Sequence, residues 1–204
     1  MCENFEYSNM IQMKYALKEW STTIEALGKG KVIAIWRKDG IEGKEFNIEQ
    51  KQFVLFPAGT HQALDKVKPE LWSLSEEKTF PNRDNQVKIK YWAEVEEVLE
   101  VKTLEALLRI SNELINTNEH LASSWDLFPE HKGKVLLLRV YKLTNPILVP
   151  FSQDYAGCKS WIELKIDIPK IGSIPILSFK EYNLKARLIK ALIEQPIIPE
   201  KLLA

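Results

Sequence analysis

The stretch that decides the fold runs from Lys134 to Leu164 and begins Lys134-Val-Leu-Leu-Leu-Arg-Val-Tyr-Lys-Leu143. This apolar run is rich in residues that favour strands, so we predict a central strand. Thr144-Asn-Pro-Ile-Leu-Val-Pro150 follows, and its prolines predict an extended crossing segment. Gly157 then indicates a turn into another strand that carries Trp161. The stretch therefore predicts a fold organised around a sheet.

The composition limits the classes of function. The chain has 204 residues, 45% of them hydrophobic, and equal numbers of basic and acidic residues (28 each). Proteins that coat nucleic acid with their whole surface are usually basic, so any such contact here must come from a local patch. The two cysteines provide neither a disulfide framework nor a cysteine-based zinc site, which favours a reducing cytoplasm. No cofactor follows from the sequence.

The sequence predicts one domain. Residues 1–13 are expected to form a flexible leader, without the basic start and apolar core of a secretion signal. Residues 14–204 are expected to form a single globular domain. No apolar run approaches the roughly 20 residues that cross a bilayer, so no membrane is expected as a partner.

Periodicity predicts the elements of this domain. The spacing of Leu17, Trp20, Ile24 and Leu27 predicts an amphipathic helix over about Tyr15 to Leu27. The other predicted elements are two strands at Lys31–Arg37 and Lys51–Phe56 that pair antiparallel, a long strand with a bulge near Trp92 at Val87–Val101, a helix from Thr103 to about Ile115, a long loop at Asn116–Gly133, an extended connection at Ile166–Ile176, and a helix from Ser178 to about Glu194.

This order of elements predicts an α+β protein. We expect a curved, mostly antiparallel sheet or pseudobarrel with about three main helices packed against it.

Several phrases occur together and in a fixed order: Ala16-Leu-Lys-Glu-Trp20, Arg37-Lys-Asp-Gly-Ile41, Phe53-Val-Leu-Phe-Pro57 with His61-Gln62, Tyr91-Trp-Ala-Glu94, Leu138-Arg-Val-Tyr-Lys-Leu143 and Tyr155-Ala-Gly-Cys-Lys-Ser-Trp161. In these phrases the chain resembles the bacterial domain-of-unknown-function 1802 family, DUF1802, over about residues 15–164. That resemblance implies no activity. The strand order also resembles, more loosely, the PUA, ASCH and EVE pseudobarrels, a likeness that implies a PUA-like fold and RNA or modified bases as ligands.

Two turns carry the candidate ligand-binding residues. Arg37 and Lys38 stand at a strand end, where a planar guanidinium suits a phosphate. Lys159, Ser160 and Trp161 follow the glycine turn, where an indole stacks on planar ligands and polar groups bind phosphate or sugar oxygens. His61 and Gln62 are candidate contacts to a base edge. We therefore expect these turns to converge on a basic, aromatic-lined cleft that binds RNA, DNA or a modified nucleotide.

Three other functions remain open. Asp84, Glu100 and Lys102 imitate the acid-and-lysine site of a metal-dependent phosphodiesterase, which requires the two carboxylates to lie within about 6 Å. Cys158 with His61 would provide a thiol nucleophile. A protein-interaction module without a small ligand would instead present a flat apolar patch. The sequence favours a binding protein over an enzyme.

Overall fold

The computed structural model describes residues 12–38, 46–58, 63–75, 81–127, 133–157 and 159–195. Within these residues the elements are, in order, β1 (Gln12–Trp20), α1 (Ser21–Gly28), β2 (Ala34–Arg37), β3 (Gln52–Ala58), β4 (Gln86–Val101), α2 (Leu104–Arg109), α3 (Asn118–Asp126), β5 (Gly133–Pro150), β6 (Trp161–Pro169), β7 (Ile174–Pro175) and α4 (Phe179–Glu194). Short 3-10 helices cover Leu64–Lys66, Pro69–Ser75, Ser111–Glu113 and Gln153–Tyr155.

The seven strands form one sheet in the order β2-β5-β4-β3-β1-β6, with β7 paired to β5. All described pairings are antiparallel except β1 with β3, which is parallel. This arrangement confirms the predicted α+β class with a curved, mostly antiparallel sheet. The long helices of the described chain, α1, α3 and α4, match the expected number.

The sequence prediction failed for the first element. Residues predicted as one helix from Tyr15 to Leu27 divide into β1 and α1. Ala16 and Leu17 are fully buried because β1 lies inside the sheet, between β3 and β6. Burial on both faces removes the alternation that marks a strand, and tertiary pairing then overrides local periodicity. β1 also begins at Gln12, inside the predicted leader.

The predicted hairpin between the second and third strand-like runs was wrong. β2 pairs with β5, whereas β3 lies between β1 and β4. The alternating pattern identifies a strand and its buried face but does not identify its neighbour.

The central stretch forms one strand where a strand and a crossing were predicted. β5 continues through Pro146 and pairs with β4 along most of its length. The pairing register shifts between two residue pairs, Ile89 with Ile147 and Tyr91 with Lys142. Pro146 lies in this irregularity, so its missing N–H costs no regular ladder bond. The extra residues at this point belong to β5, whereas β4 has its own irregularity between Val95 and Glu97, a few residues after the bulge predicted near Trp92. Farther along the chain, the predicted extended connection contains the end of β6 and all of β7.

Capping side chains define the helix starts. Thr103 accepts a hydrogen bond from the Ala106 N–H (3.1 Å), as predicted, although α2 ends already at Arg109. The predicted Ser178 capping box is confirmed in both directions at the start of α4. The segment predicted as a loop at Asn116–Gly133 instead contains α3, capped by Thr117. None of the described helices is long and apolar enough to cross a membrane.

The curvature of the sheet brings its ends together. Leu17 of β1, Leu55 of β3, Ala93 of β4 and Leu138 of β5 belong to one buried cluster. Four neighbouring strands therefore line a common interior. The candidate site lies where β1, β2 and β6 approach each other at one end of this interior.

Candidate functional site

One residue of β1 connects the two predicted turns. The backbone N–H of Lys18 donates to the Ser160 carbonyl (2.8 Å), and the Lys18 carbonyl accepts from Arg37 Nη2 (3.2 Å). The Lys18 ammonium donates to the carbonyls of Tyr155 (2.8 Å) and Gly157 (2.7 Å), which fixes the turn before β6. The structure therefore brings the Arg37 guanidinium and the Ser160 carbonyl to the same residue of β1.

A layer of aromatic rings continues from Arg37 to Trp161. The Arg37 guanidinium carbon lies 5.2 Å from the centroid of the Phe46 ring, and that ring stacks on Trp161 at 6.3 Å with 19° between planes. Phe53 meets Trp161 edge-on at 5.0 Å. The Trp161 indole N–H donates to the Asn47 carbonyl (2.9 Å). Trp161 is half-buried, and these contacts hold its indole in place.

An ion pair lies at this corner. Arg37 Nη2 also donates to the Glu19 carboxylate, and the side chains of Arg37 and Glu19 are 20% and 11% exposed. Lys134 donates to the Phe46 carbonyl (3.1 Å) behind the aromatic layer. Lys159 is exposed just before β6. We call Lys18, Glu19, Arg37, Phe46, Lys159, Ser160 and Trp161 the β1 corner.

Lys38 has a different environment from Arg37. Its side chain is buried, and its ammonium donates to the Trp125 carbonyl and lies 5.0 Å from the Trp125 ring centroid. Trp36 stacks on the same indole at 5.9 Å, and its own N–H donates to Ser124 (3.2 Å). Lys38 thus joins the end of β2 to α3 beside the corner.

The described residues do not include every candidate. His61 and Gln62 lie outside them, as does Cys158, so neither the base-edge contact nor the thiol pairing has a described geometry.

Sequence reasoning missed three members of the corner. Lys18 and Glu19 fell within the predicted helix, where their strand pairing had no signal. Phe46 belongs to a polar stretch between β2 and β3, and only its 2% exposure in the folded chain identifies it as a core residue. Had the stretch around Leu17 been interpreted as a strand, alternation would have placed Glu19 on the face of Leu17.

The proposed metal site of Asp84, Glu100 and Lys102 is wrong. Asp84 lies in the turn before β4, and Glu100 is the next-to-last residue of that 16-residue strand. At about 3.3 Å per residue, such a strand separates its ends by tens of ångströms even when it bends. No group of three or more His, Cys, Asp or Glu side chains within the described ranges is arranged to hold a metal ion.

Solved structures with some similarity to this chain include ASCH from Zymomonas mobilis. That structure has a TM-score of 0.43 at 13% identity, and the match covers 89% of this chain and 96% of that one. Two of its single-substitution variants have TM-scores of 0.43 and 0.44 at 12% and 13% identity, with coverage of 85% of this chain and 93% and 95% of theirs. These values are too low to transfer a function. No curated protein matches the sequence.

A family model covers most of the chain. The model described as Domain of unknown function (DUF1802) matches residues 16–187. The matched range includes both turns of the β1 corner and extends into α4. The chain therefore belongs to the DUF1802 family.

Proposed function

We propose that the protein binds a nucleotide or a single-stranded nucleic acid, including modified nucleotides, at the β1 corner. The observation that carries the proposal is the pair of backbone contacts at Lys18, which join the Arg37 turn to the Ser160 turn. These contacts support the proposal because they join the Arg37 guanidinium to the backbone of a turn that is more than 120 residues away in sequence.

Trp161 is the proposed stacking surface. Base–aromatic stacking contributes about 1–3 kcal/mol per base. Because Phe46, Phe53 and the Asn47 carbonyl already hold the indole, a bound base would not have to order it. Trp161 is half-buried, and in this proposal the base lies on the part of the side chain that remains exposed.

The charges of the corner favour a short ligand. Lys159 is an exposed cation that is able to contact a phosphate, whereas Arg37 is partly neutralised by Glu19. Because the chain has no net charge, it lacks the general attraction that holds long polyanions. We expect contact with about one or two phosphates, and hence a shallow dependence of affinity on salt. In this proposal Lys38 positions the Arg37 turn, and His61 and Gln62 remain proposed base contacts.

A protein-interaction function has weaker support. The outer face of α4 exposes Leu184 (72%) and Leu188 (47%). Even with Phe179 at the start of α4 (71% exposed), these side chains form a much smaller surface than the roughly 800 Å² per partner of an ordinary stable interface. The β1 corner, in contrast, combines groups suited to each part of a nucleotide.

Titration of the protein with eight-nucleotide single-stranded RNA and DNA, followed by intrinsic tryptophan fluorescence, tests the proposal. Trp161→Ala should weaken binding about tenfold or more, and Lys159→Ala should weaken it severalfold and reduce the salt dependence. Lys180→Ala on the outer face of α4 is the matched cation control and should leave the affinity unchanged. Equal weakening by Lys159→Ala and Lys180→Ala, or an unaffected Trp161→Ala variant, would reject the β1 corner.

A further inference from the structure

Glu19 is a carboxylate at the β1 corner. Neither the proposed stacking contact nor the proposed phosphate contact uses it. Its side chain is 89% buried, and its described partner is the Arg37 guanidinium on one of its two oxygens. An ionised carboxylate offers about four acceptor sites and no donor. Glu19 therefore keeps acceptor capacity for a ligand while Arg37 holds it in position.

The strand register places this carboxylate beside the stacking surface. Ala16 pairs with Ile162 and Leu17 with Trp161, and the Lys18 N–H bonds the Ser160 carbonyl. Side chains alternate along a strand, so Glu19 shares a face with Leu17 and Trp161 and lies about 7 Å farther along β1 than Leu17.

This geometry has a chemical consequence for the base. A base lying on the Trp161 indole would direct one of its edges along β1 toward the Glu19 carboxylate. That carboxylate accepts hydrogen bonds and donates none. Guanine presents two adjacent donors on its Watson–Crick edge, N1–H and N2–H₂, which match the two oxygens of a carboxylate. Adenine and cytosine place a ring-nitrogen acceptor next to their amino donor, and uracil flanks its single N3–H with two carbonyl oxygens. A carboxylate therefore repels part of each of those edges.

We propose that the β1 corner selects guanine, with Glu19 accepting from N1–H and N2–H₂ while the base stacks on Trp161. Lys159, exposed just before β6, remains the proposed phosphate contact of the bound nucleotide. This inference rests on the proposed function and names the ligand class of that site.

Ligand analogues test the inference on the unaltered protein. Isothermal titration with GMP, IMP, AMP, CMP and UMP should give the highest affinity for GMP, at least tenfold above AMP, CMP and UMP. IMP lacks only the N2 amino group, and losing one hydrogen bond to a charged acceptor should weaken it about tenfold. Equal affinities for all five nucleotides would overturn the guanine assignment but leave the proposed function in place. Failure of all five nucleotides and of the eight-nucleotide strands to bind would overturn both.

Two variants separate recognition of the base from recognition of the phosphate. Glu19→Gln replaces one acceptor oxygen with a donor, so it should remove the tenfold preference for GMP over AMP without lowering the affinity for AMP. Lys159→Ala should weaken all five nucleotides by the same factor and keep their order. A Glu19→Gln variant that folds, as judged by circular dichroism, and still prefers GMP tenfold would contradict the inference. If the variant does not fold, the comparison of GMP with IMP on the wild-type protein decides it.

Discussion

Arg37 of β2 donates a hydrogen bond to the carboxylate of Glu19 in β1, although three strands separate β1 from β2 in the order of the sheet. The contact is possible because the sheet curves until its two ends approach each other. Both side chains are mostly buried, so the pair connects the ends of the sheet in a region of low water content. The same contact positions the proposed ligand site.

Removal of one partner of this pair should destabilise the fold. Arg37→Met leaves the Glu19 carboxylate mostly buried without its cation, which should cost roughly 3 kcal/mol of unfolding free energy. Urea denaturation measures this loss, and Glu19→Gln should cost less because a neutral amide is cheaper to bury. The double variant should be more stable than the sum of the single losses predicts. Additive losses would show that the pair does not couple the ends of the sheet.

Position 133 requires glycine because the Trp36 indole packs directly against its backbone. A Cβ atom at this position would lie 1.9 Å from the ring of Trp36, which also stacks on Trp125 and donates to the Ser124 hydroxyl. Gly133→Ala should therefore destabilise the protein by about 1–3 kcal/mol, as overpacking does. Thermal unfolding checks the value. In a Trp36→Ala background the same substitution should cost little, and an unchanged cost there would contradict the steric explanation.

The capping box of α4 should contribute measurably to stability. Ser178 accepts from the Glu181 N–H (3.3 Å), and the Glu181 carboxylate accepts from the Ser178 N–H (2.9 Å). Ser178→Ala should lower the unfolding free energy by about 1 kcal/mol, whereas Ser178→Thr should retain most of it. Chemical denaturation distinguishes the two variants. Equal stability of the alanine and threonine variants would show that the Ser178 cap does not contribute to the unfolding free energy.

Stability should fall under mild acid in a way that depends on His120. Burial lowers the pKa of His120 below its ordinary value, and the nearby Lys66 lowers it further against a smaller opposing effect of Asp65. The folded protein therefore favours the neutral imidazole, and the unfolded chain takes up a proton first as the pH falls through about 6.5. The melting temperature should decrease from pH 7.5 to pH 5.5, with a smaller decrease in His120→Gln. An identical decrease in both proteins would contradict this origin.

The elements that the sequence predicts correctly are those with local chemical signals. Ser178 and Glu181 define a helix start by their own hydrogen bonds, and Thr103 does the same for α2. The alternation of Val87, Ile89 and Tyr91 identifies β4 because one of its faces is buried. Each of these signals lies within a few residues of the structure that it specifies.

The errors concern contacts between distant residues. Leu17 fits a helical stripe equally well, and only its neighbours β3 and β6 make it a strand residue. Asp84 and Glu100 resemble a metal site in sequence, but the length of β4 keeps them apart. Glu19 was not predicted for the same reason. Its partner Arg37 is distant in sequence and reaches it only because the whole sheet curves.

The central claim is that a nucleotide binds where the two turns meet at Lys18. Two-dimensional ¹H–¹⁵N spectra of the labelled protein, recorded during addition of GMP, test it most directly. We predict saturable shifts of the Trp161 indole N–H and of the backbone amides of Lys18, Glu19 and Lys159, with the outer face of α4 unaffected. Saturable shifts confined to residues outside the β1 corner, or no shifts with GMP and with the single-stranded oligonucleotides, would contradict the account.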